Sequence, residues 1–374
     1  NADRSVWNGF YSCISCCFRT FMQKKISFSG TTLAGYAGLL TGILLLVWLF
    51  LQIDLRASLD LVIDIGWLAP LLLLPYAALH ILETIGWKKL FPVATGPIAF
   101  RRLFNIQLVS ETVSMTVPAG VAVGEPLRPY LCKRFLGVPL PAAVAAVVIR
   151  KLVLGLSQGI YTLVGALLGF FWLQELSVQL IGIPGLGWIV LVSALLIIAV
   201  FVVLLLMLLD GGMACRLHGL LMAIPFTRLR RWLLRKENSF HETDSELKRF
   251  GQTGVKMIVV STIYYTFAWM MLGVESYLIL YLLGAEVAFD KVVVLDTSLT
   301  LLRSVVFVIP SGLGIQDFGF LAFFKALAMQ DYVVVGGAFV LLRRLKELLW
   351  YAAGYALFLY YGIRPGTQDY TNIR

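Results

Sequence analysis

The chain has 374 residues, of which 59% are hydrophobic and 14% are charged, and its mean hydropathy is +0.86. A soluble domain carries about 25% charged residues, so this composition excludes an ordinary soluble protein and indicates an integral membrane protein. The formal net charge of +10 would favour nucleic acid as a partner of a soluble protein. Here the basic residues cluster at the ends of apolar segments, as the positive-inside rule produces, and no nucleic-acid partner is expected.

The N-terminal segment, residues 1–30, combines aromatic residues with arginine, lysine and serine. This mixture predicts an amphipathic helix lying in the membrane interface. The segment has no short apolar core with a cleavage site, so no secretory signal is expected within it. Three of the five cysteines lie here, at Cys13, Cys16 and Cys17. They form no disulfide framework and no metal-ligand set, which leaves interfacial thiols and acylation sites as the two interpretations.

Six apolar segments further along reach the ~20 residues that a helix needs to cross a bilayer. Their hydrophobic runs are continuous rather than alternating, which predicts helices and not a β-barrel. No remaining stretch is long and polar enough for a separate soluble domain. The predicted spans are residues 31–52, 67–87, 140–173, 187–209, 256–284 and 332–361.

Charged stretches divide the chain between these spans. Residues 31–66 hold the first span and an outer loop from Asp54 to Asp64, which contains three aspartates and one arginine. Residues 67–209 form a first half and residues 256–374 a second half. Between the halves, residues 210–255 carry eight arginines and lysines, and are predicted to be a basic cytoplasmic loop.

Two Pro-Gly breaks interrupt the remaining apolar sequence in the same way. Residues 116–125 read TVPAGVAVGE and residues 308–317 read VIPSGLGIQD, with the prolines 192 positions apart (310 − 118 = 192). The same spacing pairs Glu125 with Asp317 and Lys151 with Arg343. A helix break beside a carboxylate is costly in a membrane, so its repetition indicates an internal repeat, with chance or shared turn chemistry as the alternative. The residues assigned to the breaks are Pro118, Gly120, Gly124, Pro310, Gly312 and Gly314.

Each break divides a largely apolar segment into two half-helices. Basic residues flank residues 98–135 on both sides, which predicts a re-entrant hairpin that enters and leaves from the cytoplasm. Residues 292–330 are predicted to form a second hairpin that enters from outside. Each break has to be buried in protein or line a cavity, because lipid leaves backbone groups unpaired. The predicted fold is an all-α polytopic membrane protein of about six full spans plus two re-entrant helical hairpins related as an inverted repeat, with both termini cytoplasmic.

Charged residues inside the apolar segments are the candidates for a binding site. An unpaired cation at the bilayer centre costs at least ~2.5 kcal/mol, so each needs a carboxylate, water or headgroup, or reaches to the interface. Glu125 and Asp317 are expected in the first turn after each break, as helix caps, proton carriers or ion-pair partners. The paired helix N-termini there are a candidate phosphate site. The candidate lipid-binding residues are Glu125, Arg128, Arg150, Lys151, Arg303, Gln316, Asp317, Arg343, Arg344 and Glu347.

Catalytic and cofactor motifs are lacking. The sequence contains no His-Glu-x-x-His, no Gly-x-Ser-x-Gly and no Walker-type glycine-rich loop. We therefore expect no catalytic residue, no metal and no cofactor, and no ATP hydrolysis by the chain itself.

The two break motifs, together with Arg128 and with Arg343-Arg344 on the last span, resemble a flippase-like membrane family. That family includes the transmembrane region of lysylphosphatidylglycerol synthases, a membrane protein linked to hopanoid lipids and archaeal glycolipid-pathway proteins. The resemblance covers about residues 67–361, and the family's usual Pro-Gly-Gly-Leu-Gly-x-x-Glu stands here as Pro310-Ser-Gly-Leu-Gly-Ile-Gln-Asp317. The soluble aminoacyl-transfer domain of the synthases has no counterpart in these residues. The resemblance thus implies lipid transport rather than lipid aminoacylation.

The main functional hypothesis is a translocase of the bacterial inner membrane that moves a polar or anionic lipid through a midplane groove between the hairpins, with glycolipid and isoprenoid headgroups left open. One alternative is a membrane enzyme that modifies a lipid headgroup with a hairpin carboxylate as general base. Another is a membrane subunit for a soluble lipid-modifying partner that docks on residues 210–255. Small residues of the last span, at Gly336, Gly337 and 352–354, permit either a homodimer or internal packing.

Overall fold

The computed structural model describes residues 30–92, 95–117, 120–210, 212–222, 237–305 and 312–362, and the regular structure within them is helical. The predicted interfacial helix, its three cysteines, Pro118 and Pro310 lie outside the described residues. A 3₁₀ helix, Gly66–Leu72, joins the second and third helices. The α-helices are α1 Gly30–Gln52, α2 Leu55–Ile65, α3 Leu73–Lys89, α4 Phe100–Thr116, α5 Gly120–Leu136, α6 Leu140–Ile181, α7 Leu186–Asp210, α8 Met213–Met222, α9 Glu237–Thr253, α10 Val255–Leu282, α11 Phe289–Val305, α12 Ile315–Ala326 and α13 Tyr332–Gly362.

Four helical segments of the described chain are long and apolar enough to cross a membrane, and they confirm four of the six predicted spans. Much of their surface carries exposed leucine, isoleucine and valine side chains, which is the surface that lipid would cover. α1 and α13 occupy the other two predicted spans, whose crossing stays a prediction. The four segments are Leu55–Lys89, Leu140–Gln179, Leu186–Asp210 and Val255–Leu282.

The prediction of a loop at residues 54–64 is wrong, because residues 55–65 form α2, while their placement outside the membrane stays a prediction. Asp54 caps this helix, since its carboxylate accepts a hydrogen bond from the backbone N–H of Ala57 at 3.0 Å. Asp60 and Asp64 lie on the exposed face of the helix, whereas Ser58 is buried. The charge pattern correctly indicated that the aspartates are exposed. It did not exclude a helix, because a helix can expose all of them on one face. The basic segment 210–255 likewise contains α8 and α9 and is not a simple loop.

α6 is the central helix, and it contacts α5, α7, α9, α10 and α11. Its 42 residues measure about 63 Å, roughly twice the hydrocarbon thickness of a bilayer. Two glycine pairs at a spacing of four residues allow close approach on two faces. A Cβ at Gly155 or Gly159 would meet side chains of α7, and a Cβ at Gly165 or Gly169 would meet side chains of α11. Such small-residue pairs are typical of helix contacts in membranes.

The small residues of α13 also pack inside the chain. A Cβ at Gly337 would lie 2.4 Å from the hydroxyl oxygen of Ser58 on α2, and a Cβ at Gly354 would lie 1.9 Å from Oγ1 of Thr112 on α4. Internal packing therefore accounts for these glycines, and they give no support for a homodimer interface.

Candidate functional site

The first predicted hairpin consists of α4 and α5, which pack directly against each other. Their contact depends on Gly124, because a Cβ there would lie 1.9 Å from Oγ of Ser114 and 2.9 Å from the carbonyl oxygen of Ser110. Glycine is thus required at position 124 by close helix approach rather than by the break itself. The two helices lie in contact, and this brings polar side chains of both together.

Substitution of Gly124 by Ala is expected to lower the free energy of unfolding by about 1–3 kcal/mol, because overpacking forces α4 and α5 apart. Adding Ser114→Gly should recover part of this loss, since it removes the side-chain contact but leaves the carbonyl of Ser110. Gly219→Ala is the control, because a Cβ there meets nothing within 4 Å. Unfolding titrations in mixed micelles would measure all three variants. Equal losses for Gly124→Ala and Gly219→Ala would contradict this account of the hairpin.

A buried guanidinium holds the first hairpin together. Arg128 of α5 is 1% exposed. Its Nη2 donates to Oε2 of Glu111 on α4 at 2.7 Å, its Nε donates to Oε2 of Glu125 at 3.2 Å, and its Nη1 donates to the amide oxygen of Gln107. The fork of donors on one arginine therefore binds three acceptors from both helices. Lys151 of α6 extends this network to the surface, since its Nζ lies 3.0 Å from Oε1 of Glu125 and its side chain is 48% exposed.

Arg150, the residue before Lys151, lies on the buried side of α6 and is 1% exposed. Its Nη2 is 3.5 Å from Oε2 of Glu83 on α3. Its guanidinium carbon also lies 5.6 Å from the ring centroid of Trp87 and 5.7 Å from that of Tyr265. Both rings therefore make cation–π contacts with the guanidinium. The amide nitrogen of Gln107 donates to Glu83, which joins the surroundings of Arg150 to those of Arg128. We call this network the first cluster: Glu83, Gln107, Glu111, Glu125, Arg128, Arg150 and Lys151.

The second predicted hairpin, α11 and α12, is anchored by a fully buried carboxylate. Oδ2 of Asp317 accepts a hydrogen bond from the backbone N–H of Gly314 at 2.9 Å and so caps α12. Both carboxylate oxygens also accept from Nη2 of Arg344 on α13, at 2.8 and 2.6 Å. Nη1 of Arg344 donates to Oε2 of Glu347 at 2.6 Å. Capping and ion pairing were alternative interpretations of Asp317, and the structure has both.

α13 presents two further cations to the interior. Lys346 Nζ lies 2.7 Å from Oε1 of Glu275 on α10 and 3.9 Å from the ring centroid of Tyr76. Arg343 Nε lies 4.0 Å from Oε1 of Glu347, and its guanidinium carbon lies 4.8 Å from the ring centroid of Phe320. We call this group the second cluster: Glu275, Asp317, Arg343, Arg344, Lys346 and Glu347.

The two clusters have the same arrangement of ion pairs. In each half, the hairpin carboxylate binds a cation on the following helix, and a carboxylate on the preceding helix binds a second cation there. Glu83 and Glu275 are not among the candidate lipid-binding residues selected from the sequence. They are separated by the same spacing as the two prolines (275 − 83 = 192), and this signal could have found them. The corresponding ion pairs are Glu125–Lys151 with Asp317–Arg344, and Glu83–Arg150 with Glu275–Lys346.

Two sequence-based expectations about this repeat are wrong. α5 begins at Gly120 and has no acidic residue in its first turn, so Glu125 lies one turn further on and does not cap the helix. The counterpart of Lys151 is Arg344, which binds the hairpin carboxylate, and not Arg343. Neighbouring residues on a helix point about 100° apart, so a shift of one position exchanges their roles.

Arg303 lies where the two hairpins meet. Its Nη2 is 3.5 Å from Sδ of Met115 on α4, although Arg303 itself belongs to α11. Within the described parts of the chain it has no carboxylate oxygen closer than 4.0 Å, and its side chain is half-buried. Gln316 is buried on the same side, with Oε1 and the stem of Arg303 both beside Gly312. Arg303 therefore brings a positive charge to the junction with no carboxylate of the described chain in direct contact, although Glu347 acts on it at longer range.

The glycines of the second break are required by the backbone. Gly312 has φ +62° and Gly314 has φ +79°, in the left-handed region that favours glycine. A Cβ at Gly314 would also lie 2.5 Å from Cβ of Leu45, so the break packs closely on α1. The break is thus covered by protein on this side, as a break in apolar surroundings requires.

The long apolar helices and the ion pairs buried between them define a multi-pass helical membrane protein. The model of the family described as the lysylphosphatidylglycerol synthase TM region matches residues 35–354. The chain therefore belongs to this family, which confirms the resemblance and extends it to α1. Family membership associates the protein with a lipid-related function. No curated protein and no solved structure matches the chain.

Proposed function

We propose that this protein is a lipid translocase of a bacterial cytoplasmic membrane, which moves a polar or anionic lipid between leaflets along the junction of the two hairpins. The observation that carries the proposal is Arg303, a cation at this junction with no carboxylate partner in the described structure. Each of the two clusters contains three carboxylates and three cations, so neither has a surplus charge for a headgroup. An anionic headgroup would thus find its counter-charge at Arg303.

In this proposal the hairpins are re-entrant and the two halves have opposite orientations. The α4–α5 hairpin would open to the cytoplasm and the α11–α12 hairpin to the outside, with both chain termini in the cytoplasm. The shared plan of ion pairs supports the repeat, and the positive-inside rule supports the orientation. Inverted repeats with broken helices at the midplane are the construction of many transporters.

An apolar cavity on the first hairpin supports a lipid as substrate. It has a volume of about 230 Å³ and lies between α4, α5 and the C-terminal part of α13. Its apolar lining suits part of an acyl chain, and Arg134 and Tyr130 at its side suit a headgroup. The lining residues are Asn105, Ile106, Val109, Leu127, Tyr130, Leu131, Arg134, Phe135 and Phe358.

A reconstitution assay tests the proposal. Liposomes containing purified protein and fluorescent anionic or zwitterionic lipids are treated with an outside reductant, and the loss of protected lipid is followed. The wild-type protein should accelerate this loss for anionic lipid, and Arg303→Gln should slow it at least about tenfold, which corresponds to 1.4 kcal/mol of headgroup binding. Lys291→Gln is the matched control, because it removes an exposed cation from the same helix.

Wild-type protein that moves no lipid faster than protein-free liposomes do would overturn the proposal. Chemical change of the fluorescent lipid, detected in the same samples, would instead favour the headgroup-modifying enzyme. Acceleration that requires an added soluble lipid-modifying protein would favour the subunit hypothesis. Equal rates for Arg303→Gln and Lys291→Gln would remove Arg303 from the pathway.

A further inference from the structure

Asp296 of α11 is a buried carboxyl group that belongs to neither cluster. Its side chain lies where α6, α10 and α11 converge, and the residue is 1% exposed. The hydroxyl of Tyr161 donates to Oδ2 at 3.0 Å, and the hydroxyl of Ser276 donates to Oδ1 at 3.3 Å. No cation of the described chain lies within 4.0 Å of this carboxyl. Its direct partners are therefore neutral hydroxyl groups.

Close helix packing holds these hydroxyls in position. A Cβ at Gly273 of α10 would lie only 2.8 Å from the hydroxyl oxygen of Tyr161. One turn further along α6, a Cβ at Gly165 would lie 2.0 Å from Oγ1 of Thr297, the residue after Asp296. The site is thus built by glycines that bring three helices close together.

Neutral partners distinguish Asp296 from the other buried carboxylates of the second half. Glu275 and Asp317 each bind a cation, and protonating either would leave that buried cation without its partner, which is strongly destabilising. A hydroxyl group can donate or accept a hydrogen bond. Tyr161 and Ser276 can therefore satisfy Asp296 both as a carboxylate and as a neutral acid.

The charge balance of the second half links Asp296 to Arg303. The second cluster has three carboxylates and three cations, and Asp296 and Arg303 are the other charged residues of the described α10–α13 that are not exposed. With Asp296 ionised these charges sum to zero, and with Asp296 protonated one positive charge is in surplus. Arg303 follows Asp296 by seven residues, or two turns, so the two lie on one face of α11 about 10 Å apart.

Three other charged groups of the second half lie near Asp296 or on the helices packed against it. Arg343 of α13 and Glu275 of α10 act on it electrostatically. Glu275 binds Lys346, whereas Arg343 lies 4.0 Å from Glu347 and its buried Nη1 has no hydrogen-bond partner among the described residues. On α12, the carboxylate of Asp317 is bound to Arg344. Protonation of Asp296 therefore leaves the second half with one surplus positive charge. Of the two non-exposed cations of the described second half without a close carboxylate, Arg343 is buried and Arg303 is only half-buried, so a headgroup can reach Arg303.

We propose that Asp296 is a proton-binding site that couples translocation of an anionic lipid to movement of a proton. A proton from water binds the carboxylate, which becomes a neutral carboxylic acid, and the surplus positive charge draws the anionic headgroup to Arg303. Release of the headgroup on the other side accompanies loss of the proton to water, so one proton and one negative charge cross together. The coupling rests on the proposed translocase function, whereas the proton site does not.

Infrared difference spectroscopy of the reconstituted protein tests the proton site directly. The carbonyl-stretch band of a protonated carboxylic acid should change with pH in the wild-type protein, and this contribution should be missing in Asp296→Asn. Tyr161→Phe should shift the band, because it removes a hydrogen bond. Asp290→Asn, which alters an exposed carboxyl of the same helix, should leave the buried band unchanged. If Asp296→Asn failed to fold, the shift in Tyr161→Phe would still decide the assignment.

Lipid transport under an imposed pH gradient tests the coupling. The wild-type rate for anionic lipid should rise at least about tenfold when the gradient drives protons in the direction of lipid movement, and Asp296→Asn should lose this response. Infrared bands that are identical in wild type and Asp296→Asn would overturn the proton site. If the wild-type transport rate did not change with the pH gradient, the proposed coupling would be wrong and the translocase function would stand. If wild-type protein moved no lipid at all, both the coupling and the proposed translocase function would be wrong.

Discussion

Replacement of Arg128 by Met is expected to lower the free energy of unfolding by about 3–5 kcal/mol, the cost of breaking a buried ion pair by removing one partner. The methionine side chain replaces much of the apolar part of arginine but has no hydrogen-bond donor. The carboxylates of Glu111 and Glu125 and the amide oxygen of Gln107 would each lose a donor within the first hairpin. The loss should be seen as a shifted midpoint in a denaturant titration in mixed micelles.

Lys133→Met is the matched control, because Lys133 is an exposed cation on the same helix. It should change the free energy of unfolding by less than about 0.5 kcal/mol. Adding Glu111→Gln to Arg128→Met should recover part of the stability, because it removes one of the unpaired charges. A small loss for Arg128→Met, similar to that of Lys133→Met, would show that Arg128 does not hold the hairpin together.

The Asp317–Arg344 pair is expected to respond asymmetrically to removal of either partner. Arg344→Gln should cost about 3–5 kcal/mol, because it leaves the fully buried Asp317 with no cation and only the N–H of Gly314. Asp317→Asn should cost less, about 1–3 kcal/mol, because Arg344 keeps Glu347 at 2.6 Å. Each variant should also slow lipid movement, since both displace α12 from α13.

A double-mutant cycle measures this pair. Asp317→Asn combined with Arg344→Gln should be more stable than the sum of the single changes predicts, by about 1–3 kcal/mol, because neither member of the pair is then left charged without the other. Glu125→Gln provides the comparison in the first half. It should be milder than Arg344→Gln, because Arg128 keeps Glu111 and Gln107. Additive losses at Asp317 and Arg344 would contradict a direct ionic coupling.

The sequence predicted the membrane class, four confirmed spans and the family, because these depend on composition and on continuous apolar length. It also located the helices of both hairpins to within a few residues, since Pro and Gly end helices locally. Charge alone misled at residues 54–64, where α2 exposes Asp60 and Asp64 on one face and buries Ser58 on the other. The composition of a segment indicates whether its side chains are exposed. A helix with one exposed face can have the same composition as a loop, so composition does not distinguish the two.

Only the tertiary structure decided which charges neutralise one another. Arg343 and Arg344 are adjacent in sequence, yet one lies over Phe320 and the other binds Asp317, because successive residues point to different sides of a helix. The contacts of Asp296 with hydroxyl groups depend on Gly165 and Gly273, which belong to two other helices and set how closely the helices approach. The sequence by itself thus determined which charged residues lie within apolar segments. Their pairing depended on helix rotation and on packing between different helices, as did the positions of Asp296 and Arg303, which form no ion pair within the described residues.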